Sequence, residues 1–108
     1  MEDKIVVGIR EKVEIMGKSF SARMDTGAKM SSIDKKLAID LGLGPVLRKM
    51  NIRSVHGTSE RPVVRAVVNL KGKTLKASFN LADRNKMDYP ILIGRNILRK
   101  GFLVDSSL

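Results

Sequence analysis

At 108 residues and 12.0 kDa the chain has room for one domain, and 43% hydrophobic with 30% charged residues suits a modest core under a well-solvated surface, not a disordered tail. Twenty-one lysines and arginines against eleven aspartates and glutamates leave a net charge of +10, which draws in anionic partners. With no cysteine and one histidine, His56, a disulfide framework and a thiolate nucleophile are excluded and a structural zinc site is not expected.

Residues 4–9 (KIVVGI) read as a strand. Residues 12–16 alternate apolar and polar side chains, Gly17-Lys18 supplies a turn, and 19–24 alternate again, which predicts a hairpin. Residues 25–28 are turn-like and 30–33 a short strand. Asp34 can cap a helix from 35 to about 41, with Ile33 and Ala38 at the staple positions and Gly42 as the stop. Residues 49–55 and 61–70 read as strands on either side of a polar turn, 56–60 (HGTSE). A tight turn at 71–73 leads into a strand at 74–81, and 83–88 form a polar loop. Residues 90–93 (PILI) make a short apolar strand, 95–100 a short helix ended by Gly101, and 102–104 a last strand. The five internal methionines, Met16, Met24, Met30, Met50 and Met87, are expected as core fillers. No linker, repeat or parallel βαβ unit is evident, so the expected class is all-β with one or two short helices.

The chemistry concentrates at Asp25-Thr26-Gly27. The alternating strand 20–24 delivers the aspartate to a turn. Thr26 can donate its hydroxyl to backbone, Gly27 lets backbone or ligand approach closely, and Ala28 stays small. Taken alone, the triplet also fits a turn aspartate making an Asx contact. A second segment follows about 65 residues later, residues 89–98 (YPILIGRNIL), where an apolar strand ending in Gly94 runs into a helix. The two together resemble the retropepsin-type aspartic proteases. Within that family the likeness is greatest to small prokaryotic domains labelled ATP-dependent zinc proteases, through Asp-Thr-Gly-Ala-Lys, Arg-Pro-Val-Val and Tyr-Pro-Ile-Leu-Ile-Gly-Arg with a Phe-Leu-Val-Asp ending.

The resemblance implies a retropepsin-like acid protease barrel, one lobe per chain, with residues 1–108 a single domain. Residues 89–98 would pack behind the aspartate loop, and 54–64 would form the flap hairpin. Its polar tip, His56, Gly57 and Thr58, would touch substrate. Peptide hydrolysis by this route needs two carboxylates sharing one proton, and the chain has one Asp-Thr-Gly. A catalytic form is therefore a homodimer in which Asp25 of each copy meets at a two-fold axis. Thr26 would interlock with its mate, and segments 4–9 and 102–104 would build an intersubunit sheet. Retroviral relatives commonly carry an aspartate after Asp-Thr-Gly-Ala, paired with the following Gly-Arg-Asn arginine. Here that position is Lys29, so Arg95 is expected to find Asp88, Asp105 or the C-terminal carboxylate instead, and Lys29 to face the cleft.

A cationic subsite and the +10 charge suit a peptide rich in glutamate or aspartate, and the prokaryotic relatives often accompany ATP-grasp glutamate ligases. The expected activity is thus an aspartic endopeptidase on a peptide or protein substrate. Without a phosphate-binding glycine pattern or a His-Glu-x-x-His, no cofactor and no metal are expected. A non-catalytic peptide-binding or dimerisation module with the same fold is the alternative. A nucleic-acid-binding β-domain is a third reading, but the cations are scattered and the four aromatics, Phe20, Phe79, Tyr89 and Phe102, form no stacking motif, so nucleic acid is not the expected partner. Charges recur throughout the first twenty residues and the apolar runs are short, so neither a signal peptide nor a membrane span is expected, and the default location is the cytoplasm.

Overall fold

Two hairpins set the framework. The structure, a computed structural model, describes residues 3–55 and 57–108. Strands β1 (Ile5–Val7) and β2 (Arg10–Ile15) lead to β3 (Lys18–Met24). The β2–β3 loop is Met16-Gly17, with φ of 54° and 75°. Left-handed backbone at both central positions is what a two-residue loop between twisted strands requires, so the turn lies one residue earlier than Gly17-Lys18. After β4 (Ser31–Asp34), helix α1 (Lys35–Asp40) and β5 (Arg48–Ser54), the long strands β6 (Gly57–Leu70) and β7 (Lys73–Ala82) repeat the device at Lys71-Gly72. Strand β8 (Ile91–Ile93), helix α2 (Arg95–Leu98) and β9 (Phe102–Val104) complete the chain.

Six strands close on themselves in the order β2-β3-β8-β4-β7-β6, because β6 also pairs with β2 (Val13↔Leu70, Ile15↔Val68). Strand β5 lies outside this ring, on β6 alone. The alternating pattern aims Val13, Ile15, Val68, Leu70, Phe79, Ile33, Ile91 and Ile93 inward, all essentially without solvent contact. The β2–β6 pairing removes the two free edges that an open six-stranded sheet would carry. Strands β1 and β9 form a separate two-stranded sheet, with Val6 opposite Leu103.

Several expectations change. Three strand pairs are parallel, β1–β9, β3–β8 and β4–β7. Periodicity specifies which face is buried but not the direction of the neighbour, so these were invisible in the pattern. The turn expected at 56–60 is shorter, since Gly57–Glu60 already belongs to β6 and pairs with Ser54–Asn51. Of the five internal methionines only Met24 is buried; Met16 and Met87 are exposed and Met30 and Met50 half-buried. Helix α1 starts as expected: the Asp34 carboxylate accepts the Leu37 N–H at 3.2 Å.

Candidate active site

The Asp25 loop leaves the end of β3 and is fixed by backbone. The Asp25 N–H donates to the Ile93 carbonyl at 2.8 Å, tying the loop to β8. The Gly27 N–H donates to Asp25 Oδ1 at 2.9 Å, and the Ala28 N–H to the Asp25 carbonyl at 3.3 Å. A Cβ on Gly27 would lie 3.2 Å from that same Oδ1, so glycine keeps the carboxylate within reach of the amide. Asp25 is half-buried, whereas Thr26, Gly27 and Lys29 are exposed.

The segment 94–96 braces the loop from behind. The Arg95 N–H donates to the Ala28 carbonyl (2.8 Å), the Asn96 N–H to that of Lys29 (3.2 Å), and Arg95 Nη1 to that of Thr26 (3.0 Å). Arg95 thus finds a backbone carbonyl, not Asp88, Asp105 or the C-terminus. Asp105 is instead occupied by the Ser107 hydroxyl and N–H, which hold its carboxyl below the usual aspartate value. The turn is likewise set by the Asp25 and Gly27 amides; among the described residues the Thr26 hydroxyl makes no hydrogen bond. Behind the brace, the Gly94 N–H donates to Ser31 Oγ (3.0 Å), the Ser31 hydroxyl to Asn96 Oδ1 (2.8 Å), and Asn96 Nδ2 to the Ser78 carbonyl (2.9 Å). Ser31 is fully buried, so this chain satisfies polar groups that would be costly unpaired. Sequence reading passed over Ser31, although two adjacent serines between Met30 and Ile33 were the available signal.

Gly57 and Thr58 lie in the β5–β6 hairpin, opposite Ser54 and Arg53, not on the Asp25 loop. His56 falls outside the described residues. Residues that sequence reading did not single out line the sheet beside Asp25. Register places Arg23, Leu92, Ser32 and Asn80 in one row across β3, β8, β4 and β7. Their neighbours in the next row, Ala22, Ile91, Ile33 and Leu81, are buried and face the core, so the row of Arg23 faces the other way. Asn80 Oδ1 accepts from the Ser32 hydroxyl (2.6 Å) and from Arg61 Nη1 (3.1 Å), while Arg61 Nε donates to Ser59 Oγ (3.1 Å). Nearby, the Arg84 N–H donates to Asp34 Oδ1 (2.9 Å) and Arg84 Nε to the Tyr89 carbonyl (2.9 Å). Burial first, and then the charge of Arg61, lower the pKa of Arg84, against opposing attraction from Asp34 and Asp25; Arg23 adds a smaller repulsion. Among the described residues no group of three or more His, Asp or Glu side chains converges as a metal site. A surface hollow of about 400 Å³ is lined by Arg10, Glu11, Lys12, Ser21 and Tyr89 and does not include Asp25.

The barrel has solved counterparts. A crystal structure of a protein of unknown function from Legionella pneumophila subsp. pneumophila str. Philadelphia 1 superposes with a TM-score of 0.71 at 24% identity, covering 96% of this chain and 95% of that one. The solution structure of the simian foamy virus (mac) protease gives 0.64 at 21% identity, over 83% of this chain and 91% of that one. The foamy viral protease-reverse transcriptase, solved in complex with an RNA/DNA hybrid, gives 0.68 at 18% identity, over 84% of this chain and 11% of that one. These likenesses establish the fold: a mainly β, single-lobe retropepsin-like barrel with two short helices. In sequence, the profile of the RimB-like family, described as retropepsin-like aspartic endopeptidase RimB, matches residues 34–108. The chain belongs to this RimB-like family of retropepsin-like aspartic endopeptidases. A 63-residue stretch is also 36% identical to a probable alpha-L-glutamate ligase of Shewanella pealeana (strain ATCC 700345 / ANG-SQ1), covering 57% of this chain and only 14% of that relative's length. No helix among the described residues is long and apolar enough to cross a membrane.

Proposed function

We propose that residues 1–108 form one lobe of a homodimeric aspartic endopeptidase, with Asp25 of each copy at the two-fold axis. The observation that carries this reading is the Asp25 loop. It holds a half-buried carboxylate at a strand end, with Oδ1 on the Gly27 N–H and the loop's carbonyls gripped three times by Arg95 and Asn96. Such bracing is more than a turn aspartate needs. It fits a group whose position must survive the approach of a second negative charge.

In the dimer the two carboxylates share one proton, since like charges that close cannot both ionise comfortably. The unprotonated one takes a proton from a water, whose oxygen attacks the peptide carbonyl carbon. The protonated one gives its proton to the carbonyl oxygen. The tetrahedral adduct collapses as a proton passes to the departing nitrogen, and the C–N bond breaks. Thr26 of each copy interlocks across the axis and, with Gly27 and Ala28, completes the loop. The β5–β6 hairpin is the flap, and its residues Gly57 and Thr58 cover the peptide. Lys29, exposed at the loop, faces the cleft.

The outer face of the β1–β9 sheet supports a partner there, because Val6 and Leu103, paired across it, are 45% and 54% exposed. The net charge of +10, Lys29 and the matched segment of a probable glutamate ligase favour an acidic peptide as substrate. The test is cleavage of an unbiased peptide library by wild type and Asp25→Asn, with and without an aspartic-protease inhibitor. Cleavage confined to uninhibited wild type is expected; identical products from both proteins would end the reading.

A further inference from the structure

The barrel gives way to the hairpin inside a single strand. Strands β6 and β7 pair from Leu70↔Lys73 up to Val63↔Asn80. Beyond that rung, residues 57–62 of β6 pair with β5, so the two leave the barrel as a two-stranded ribbon. Pro62, the first residue past the rung, has no N–H to give a ladder. The Leu47 N–H donates to the Val63 carbonyl at 2.9 Å, which pins the root. A ribbon of two strands has little stability of its own, so its angle over the barrel needs further support.

Arg61 supplies it. It lies diagonally across from Asn80, and its Nη1 donates to Asn80 Oδ1 at 3.1 Å. The same oxygen accepts the Ser32 hydroxyl at 2.6 Å. Asn80 and Ser32 are 2% and 5% exposed, so both belong to the barrel, whereas Arg61 is half-buried and reaches back to them from the ribbon. Arg61 Nε also donates to Ser59 Oγ, which carries the hold two residues further out. Buried polar groups cost free energy unless they are paired, and an apolar side chain at position 80 would avoid that cost. It would also leave the ribbon without this tie. A hydrogen bond of modest net strength can break and re-form, as a moving hairpin requires.

Ser32 links the ribbon to the Asp25 loop. It follows Ser31 on β4, and adjacent strand residues face opposite ways. Ser31 accepts from the Gly94 N–H and donates to Asn96, in the segment that braces the loop. Ser32 donates to Asn80, which holds Arg61. One strand thus references both. We infer that Arg61, Asn80 and Ser32 form a hinge latch. Closed, it holds the β5–β6 ribbon at a set height over the Asp25 loop; release of Arg61 from Asn80 lets the ribbon lift to admit or discharge a peptide. The three are positioning residues and touch no reacting atom. This rests on the reading of the hairpin as a flap and adds to it what fixes the closed position.

Hydrogen exchange on the full chain, without peptide and resolved by mass spectrometry, reads the latch. Arg61→Met keeps an extended side chain and removes its donors. It should speed exchange in residues 48–62 about tenfold, the lower range for a lost hydrogen bond to a charged group, and leave residues 10–24 unchanged. Asn80→Leu should do the same, and the double variant should be no faster than either single one. Asn80→Asp, whose carboxylate still accepts from both partners, should match wild type or exchange more slowly. In cleavage of a library peptide, Arg61→Met should raise KM by a similar factor, because less of the protein then stands closed. Acceleration spread over residues 10–24, none in 48–62, equal acceleration with Asn80→Asp, or an unmoved KM would each overturn the latch. Exchange needs no cleavage, and the comparison of wild type with Asp25→Asn needs no latch, so the two readings fail separately.

Discussion

A methyl group added at Gly94 would lie 2.4 Å from the Met30 carbonyl oxygen and 2.8 Å from that of Ala28. Both atoms are backbone of the segment that leaves the Asp25 turn, so neither can rotate away. Gly94→Ala is therefore expected to destabilise the fold by about 3 kcal/mol or more through overpacking against main chain, seen as a lower urea midpoint, with cleavage lost in proportion. Asp105 is a milder case. The Ser107 hydroxyl and N–H depress its pKa, the hydroxyl contributing more. A depressed carboxylate stabilises the fold above its unfolded pKa, and that contribution is lost as pH falls through the folded value. The carboxyl carbon of Asp105, followed by NMR, should titrate below the usual aspartate range. Ser107→Ala should raise its midpoint; an unmoved midpoint would contradict the assigned cause.

Among the elements, Asp34 joins two that are far apart in sequence. One oxygen caps α1 and the other receives the Arg84 N–H, which positions the 83–89 loop. Asp34→Ala is expected to cost about 2–3 kcal/mol, a helix cap plus a part-buried donor left unpaired. Hydrogen exchange should accelerate in α1 and at Arg84 together. Faster exchange in α1 alone would mean that the loop is held by other contacts. At the far end, Lys73 ties α2 to the β6–β7 hairpin: its ammonium donates to the Lys100 carbonyl and lies 5.7 Å from the centroid of the Phe102 ring. The short helix is thus clamped at its N-terminus by the Asp25 loop and near its C-terminus by β7.

For the whole molecule the decisive quantity is the number of copies. The lobe supplies one Asp25, and Val6 and Leu103 are exposed on the β1–β9 sheet, the surface on which the proposed dimer would rest. Sedimentation of wild type should give a species of about twice 12.0 kDa. Val6→Lys with Leu103→Lys should shift it to a single copy and abolish cleavage while the far-ultraviolet circular dichroism stays unchanged, because neither side chain belongs to the core. Full cleavage by a protein that remains one copy at every concentration would rule out the shared-proton mechanism.

Alternation of apolar and polar residues, glycine at the turns and the Asp34 cap were enough to place nearly every strand and both helices. Local geometry dictates these features, since a strand exposes every second side chain and a two-residue turn needs left-handed backbone. The paired motifs around Asp25 and Gly94 likewise disclosed the kind of loop and its brace. Only the folded chain decided that three strand pairs run parallel, that β6 returns to β2 to close the barrel, and that Arg95 serves a carbonyl instead of an acid. It also brought Ser32 and Arg61, 29 positions apart in the sequence, together on Asn80. Those outcomes depend on which surfaces meet across long separations, and that is set by packing summed over the whole core, which no local window of residues contains.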